Sequence, residues 1–267
     1  MAAPTEVQTG PPTGALRVVA KPARALGDFF AVSLDILVEM AKPPFAWREF
    51  IDQTWFVARV AILPAILLSI PFNAFAVFLL NALLVELGAA DVGGATAGVA
   101  CVTQIAPMVT VLVVAGAGAT AMCADLGART IREEIDAMRV MGLDPVRGLL
   151  VPRVAALTVN ALLLNAITTT TGLAADYAFT VYLQHVTPGA FASSLTLLVG
   201  LRECLIAILK AVLFGIAAGL IACYKGITVE GGPQGVGNAV NETVVFSFMT
   251  LFMINVLLTA MNAQMAS

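Results

Sequence analysis

Between Phe56 and Leu84 the sequence carries one charged side chain, Arg59, in an apolar run longer than the roughly 20 residues a helix needs to cross a bilayer. Further apolar stretches follow at about Val99 to Cys123, Val146 to Leu183, Leu205 to Tyr224 and Val244 to Met261. In hydrocarbon every backbone amide must be satisfied inside the protein, so stretches of this length fold as helices. Composition agrees, because a chain of 267 residues that is 60% hydrophobic and 12% charged has too little polar surface to coat a soluble globule. The expected fold is an all-α polytopic membrane protein with about five transmembrane helices. A net charge of -3 argues against a nucleic-acid partner. Cys101, Cys123, Cys204 and Cys223 lie in or beside apolar stretches without C-x-x-C spacing. They read as small buried hydrophobes, so neither a disulfide framework nor a metal site is expected.

Ahead of the first span, residues 1–15 are rich in Pro, Thr and Gly and read as a disordered cytoplasmic tail, without the apolar core of a signal peptide. Residues 16–54 read as an interfacial amphipathic segment: apolar Leu26, Phe30, Leu34 and Leu37 are interspersed with Arg24, Asp28, Asp35 and Glu39, with an early interruption at Pro22. Lys42-Pro43-Pro44 and Trp47 mark an interfacial turn. Residues 55–267 form the transmembrane domain. Pro64 and Pro71 predict a kinked or broken first span, where Asn73, Phe72, Phe75 and Phe78 either border a substrate path or face lipid. Ala115, Gly116, Gly118, Ala119 and Ala121 let backbones approach closely, which places the second span mid-bundle or at a subunit interface. The third run is too long for one straight span and predicts a span plus a helical or turn extension. Thr187-Pro188-Gly189 followed by Ala190 to Gly200 reads as a short external helix, and residues 231–238, GGPQGVGN, as a glycine-rich connector.

One charged island interrupts the apolar pattern, Gly127 to Pro145, GARTIREEIDAMRVMGLDP. Thr130 and Glu133 have capping-box spacing, which predicts a three-turn helix starting at Thr130. Ile131, Ile135 and Met138 form its apolar stripe, Gly142 supplies a left-handed C-cap and Pro145 blocks continuation. Such a helix cannot cross the bilayer and lies at one face of it. Given five spans, Arg129, Arg132, Arg139, Arg147, Arg153 and Lys225 fall on the side of the N-terminus, while the other side holds Arg202, with Lys210 inside a span. The positive-inside rule then makes the N-terminus and this helix cytoplasmic and the C-terminus external.

Within the island and just after it, EEIDAMRVMGLDPVRGLLVPRV resembles the cytoplasmic signature of the MlaE/YrbE family, with similarity from about Trp55 to the C-terminus. These are permease subunits of lipid-transporting ABC systems that work with Mce-domain proteins. The resemblance implies a coupling helix in which Glu133, Glu134, Asp136 and Ala137 enter a groove on a cytoplasmic ABC ATPase, with Gly142, Asp144 and Pro145 fixing the corner into the next span. It also implies an interfacial N-terminal helix that braces the transmembrane domain. Where many members carry Arg-Glu-x-Gly-Pro, this chain has Thr103-Gln104-Ile105-Ala106-Pro107, and a later Ala-Gly-Arg is here Ala115-Gly116-Ala117. Missing charges suit a cargo less polar than a phospholipid, such as a fatty or mycolic acid or a sterol. They also fit the actinobacterial YrbE branch, here its A-type subunit, in which a second, non-identical YrbE-type permease completes a heterodimer.

No G-x-x-x-x-G-K-[ST] sequence is present, so ATP and Mg are expected on the partner ATPase and no enzymatic activity in this chain. Candidate substrate-path residues are Asn73, Phe75, Gln104, Pro107, Arg202 and Lys210. Lys210 and Arg202 either attract an acidic lipid head at the outer mouth or, for Lys210, simply snorkel. The alternatives are a secondary transporter using Asp176, Glu203 or Lys210 as a proton relay, and a scaffold subunit that does not touch lipid. His185 is assigned no role.

Overall fold

A computed structural model describes residues 13–43, 45–86, 98–183, 189, 191 and 200–266, and all regular structure among them is helical. The expected tail up to residue 12, His185 and nearly all of the expected external helix at 187–200 lie outside the described residues. The helices in chain order are α1 (Thr13–Met40), α2 (Trp47–Glu86), α3 (Gly98–Ile131), α4 (Glu134–Val140), α5 (Val146–Tyr182), α6 (Leu201–Ile227) and α7 (Gly232–Ala266). Helices α2, α3, α5, α6 and α7 are long and apolar enough to span a membrane. The chain is a multi-pass membrane protein.

Two expectations change at this level and one is narrowed. The first span is not broken, since α2 runs as one helix through Pro64 and Pro71, and α1 likewise runs through Pro22. A proline deletes one backbone bond, and a helix packed on neighbours tolerates that loss. The third run is a single helix whose ends widen into π-turns at Val146–Leu150 and Phe179–Leu183, so its extension is helical. The glycine-rich connector shrinks to a turn, because Gly231 (φ 84°) and Gly232 (φ 71°) take left-handed angles and the helix proceeds from there. Pro233 suits that first turn, where its missing amide would be unpaired anyway.

Helix α3 occupies the middle of the bundle and packs on α2, α5, α6 and α7. Its small residues allow this, as expected: Ala115, Gly118 and Ala119 are buried, and a Cβ at Gly118 would stand 2.8 Å from Leu157 Cδ1 of α5. Gly116 points away, with nothing near it. The most apolar windows of α3 and α5 are each 61% buried, against 22% for α2 and 17% for α7. Helix α1 braces α5 and α6. Its Ile36 is fully buried, Phe29 meets the Tyr224 ring edge-on at 5.4 Å, and Tyr224 donates to Ala25 O at 3.0 Å. Leu26, Phe30 and Leu34 form a second, outward apolar stripe suited to a bilayer surface.

Candidate functional site

At the end of the bundle that gathers the Arg and Lys side chains, α4 is a two-turn helix and does not begin at Thr130. Helix α3 continues to Ile131, and the Thr130 hydroxyl donates at 2.9 Å to both Leu126 O and Gly226 O, the latter on α6. A capping box needs that hydroxyl for the Glu133 amide. Instead Glu133 turns the chain at φ 58°, with its amide donating to Thr130 O at 3.0 Å. The C-terminal expectation holds: Gly142 has φ 77°, and the Leu143 amide returns to Met138 O at 2.9 Å. Asp144 then accepts from the Val146 amide at 2.9 Å and Pro145 precedes the first turn of α5, so these residues do shape the corner.

Ile135 is buried and Met138 reaches toward Gly148, so one face of α4 sits on the start of α5. Beside it a pocket of about 210 Å³ opens between α1 and α4, lined by Val32, Asp35, Ile135, Arg139, Leu149 and Ile227 among others. The other face is open. Glu133, Asp136 and Ala137 are exposed and Glu134 half-buried, with Glu134 paired to Arg132 at 2.9 Å and Asp136 to Arg139 at 3.1 Å. Val140 is 89% exposed, and Met141 and Leu143 stand out beside it, which makes the tip of α4 an apolar knob flanked by carboxylates.

At the opposite end Lys210 is buried on α6 and donates to Thr103 O on α3 at 3.0 Å and to Thr259 Oγ1 on α7 at 2.8 Å. Pro107, four residues after Thr103, has no amide to give its carbonyl, which leaves that oxygen for Lys210. Gln104, Glu203, Ile206 and Asn262 line the same small pocket, and Arg202 donates to Asn262 O at 3.2 Å. Gln104 and Lys210 therefore come together, and Arg202 is tied to the pocket only through the Asn262 main chain. Glu203 caps α6 by accepting from the Gly200 amide at 3.0 Å. The remaining path candidates lie elsewhere: Pro107 is buried in α3, Phe75 is 65% exposed, and Asn73 is buried against α5.

Residues 50–261 match the family model described as Permease MlaE. The chain belongs to the MlaE permease family. Relatives include a probable ABC transporter permease protein of Synechocystis, 28% identical over 177 residues, 66% of this chain and 67% of that one. The chloroplastic protein TRIGALACTOSYLDIACYLGLYCEROL 1 of Arabidopsis thaliana is 29% identical over 174 residues, which cover 65% of this chain and 49% of that protein, about half its length. A probable ABC transporter permease protein of Rickettsia typhi is 26% identical over 238 residues, 89% of this chain and 92% of that one.

In this MlaE permease the residues that sequence patterning missed cluster at the basic end. Arg153 of α5 is fully buried; it donates to Asp125 of α3 and lies 3.5 Å from Glu49 of α2. Gln53 donates to Glu49 at 3.0 Å and Arg129 sits 3.3 Å from Asp125. A lone arginine two turns into an apolar run was the available signal, since a charge held there requires partners. The Val140, Met141 and Leu143 knob had a signal too: three apolar residues around a helix-ending glycine inside a charged loop.

Proposed function

We propose that the chain is the permease subunit of an ATP-driven, Mce-type lipid transporter that moves a hydrophobic lipid across or out of the plasma membrane. A fatty or mycolic acid is the favoured cargo, with a sterol or phospholipid as the other candidates. The observation that carries the proposal is the geometry of α4, a short helix with one face seated on α5 and the other presenting Ala137, Val140 and Met141 between Glu133 and Asp136. A cytoplasmic ABC ATPase that binds ATP and Mg would take this knob in a groove, its basic rim facing the carboxylates. This chain contributes no enzymatic step. The end of α3 just before α4 is fastened to α6 through Thr130, and Asp144 just after α4 holds the first turn of α5, so α4 passes a push from the ATPase to three spans at once.

Membership of the family supports the permease role, and the galactolipid in the name of the Arabidopsis relative supports a lipid cargo. The gathering of Arg and Lys at one end supports a cytoplasmic N-terminus and an external C-terminus. A second YrbE-type permease would complete a heterodimer against the sparsely buried faces of α2 or α7, and Mce-domain proteins would take the lipid on the external side. There the Lys210 pocket, with Gln104 in its lining and Arg202 nearby on the Asn262 carbonyl, would attract the acidic end of the lipid. A proton relay is disfavoured: Glu203 and Lys210 share one pocket, and among the described residues no ionisable side chain links them to Asp176, so the three form no chain across the membrane.

The test is the double substitution Glu133→Lys with Asp136→Lys in the native complex. Loss of the co-purifying ATPase together with loss of lipid transport is expected, and undiminished transport would overturn the reading.

A further inference from the structure

The half of α5 farther from the basic end contains an unusual carboxyl group. Asp176 is fully buried, and neither of its oxygens has a hydrogen-bond donor. Asn73 of α2 and Cys101 of α3 close over the same face one turn earlier, where a Cβ on Gly172 would meet Asn73 Nδ2 at 2.6 Å and Cys101 Sγ at 2.8 Å. Gly172 is what lets both side chains in. Asn73 uses its amide nitrogen on Ser69 O at 2.8 Å and leaves its Oδ1 without a donor, and Thr180, one turn beyond Asp176, is also buried with an unpartnered hydroxyl.

The side chain that faces Asp176 is the Cys101 thiol from α3; Asn73 of α2 packs on α5 one turn earlier at Gly172, and Thr180 follows one turn later on α5 itself. Among the described residues no Lys or Arg lies within ion-pair distance of it; Lys210 is on the far side of the Cys101–Ile105 turn, bonded to Thr103 O and Thr259. An ionised carboxylate with no donor and no counter-charge in a membrane interior is expensive by several kcal/mol, on the order of what a lone charge at the bilayer centre costs. A carboxylic acid avoids that cost and gains a donor. The neighbouring unpartnered Asn73 Oδ1 is an acceptor of the complementary kind.

We propose that Asp176 is a proton-binding site inside the membrane domain, occupied while α2, α3 and α5 are packed as seen here. Its ligand is the proton, held by the carboxyl group and screened from water by Asn73 and Cys101. Separation of α5 from α2 admits water and releases the proton, so acid conditions favour the closed packing and alkaline conditions the open one. The inference rests on the membrane placement of α5 and is independent of ATPase coupling or cargo.

Infrared spectroscopy of the purified complex in lipid nanodiscs reads this directly. A protonated-carboxyl stretch present at neutral pH in the wild type and missing from Asp176→Asn is the expected result. The closed packing should also lose thermal stability as pH rises in the wild type, and Asp176→Asn should flatten that dependence. If Asp176→Asn does not fold, Asp176→Glu, which keeps a carboxyl group at this position, should retain a protonated-carboxyl stretch at a shifted frequency, and its absence would count against the proposal. Identical spectra in the protonated-carboxyl region, or an ionised Asp176 band at neutral pH, would overturn the proposal. A sodium-dependent rise in stability that Asp176→Asn abolishes would overturn it in favour of a metal cation.

Discussion

Gly215 of α6 lies against the backbone of Thr158 in α5, so closely that a Cβ at 215 would stand 2.3 Å from Thr158 Cα and 3.0 Å from Leu157 O. Both obstacles are main-chain atoms, which cannot rotate away. Gly215→Ala therefore has to push two spans apart, and overpacking of this kind costs about 1–3 kcal/mol. A fall in the melting temperature of the purified complex is expected. Gly116→Ala, on the same class of residue with open space around it, serves as the control that should leave the melting temperature unchanged.

Thr130→Val removes the bond to Gly226 O and leaves that carbonyl without its 2.9 Å partner. The cost to stability is about 1–2 kcal/mol. Its main effect should be local: amide hydrogen exchange in residues 133–142 rises several-fold, and the spans keep their protection. Uniformly faster exchange would mean that Thr130 supports the whole bundle instead.

Asp125→Asn takes away the nearest counter-charge of the buried Arg153 and leaves Glu49 at 3.5 Å as its remaining carboxylate. Unpairing one member of a buried ion pair costs roughly 3–5 kcal/mol, and partial exposure of Asp125 brings the expected figure to the low end. Arg153→Met should cost less than Asp125→Asn, because it removes the charge that needs a partner. Thermal denaturation of the two variants and of their combination decides the order.

Val140→Ser with Met141→Ser alters side chains that touch little else in the chain, so stability should change by less than about 0.5 kcal/mol. Recovery of an ATPase by co-purification should nevertheless fall at least tenfold, and unchanged recovery would move the docking surface away from the tip of α4.

Lys210→Met keeps the volume at 210 and deletes an ammonium held by Thr103 O and Thr259 Oγ1. Replacement of a buried charge by an apolar isostere is often neutral or stabilising. Stability should therefore hold while the share of acidic lipids recovered by mass spectrometry with the complex declines.

The spans were readable because twenty apolar residues have one solution in hydrocarbon, and the corner at Gly142, Asp144 and Pro145 because each acts on its own backbone. Thr130 shows where that legibility stops. Its spacing to Glu133 suits a helix start, but an acceptor ninety-six positions away on α6 is equally in reach once the chain is folded, and it takes the hydroxyl. Arg153, Asp125 and Glu49 are likewise separated in sequence and meet only through packing; Asp125 and Arg129, four apart on α3, were the one visible pair. The π-turns carry no residue signature at all. Asp176 could be seen as a charge in an apolar run, but its lack of partners is a property of three helices together.

The uneven burial of the five spans sets two different rules for how this sequence can drift. Positions on α3 and α5, where 61% of the apolar window is enclosed, are held to shape, and a methyl group more or less is felt by a neighbouring backbone. Positions on α2 and α7, at 22% and 17%, answer mainly to hydrophobicity, so Leu, Ile, Phe and Met can replace one another there at small cost. Substitutions should accumulate on the flanks of the molecule while its middle stays nearly fixed, and any flank position that resists exchange marks a surface that another molecule occupies.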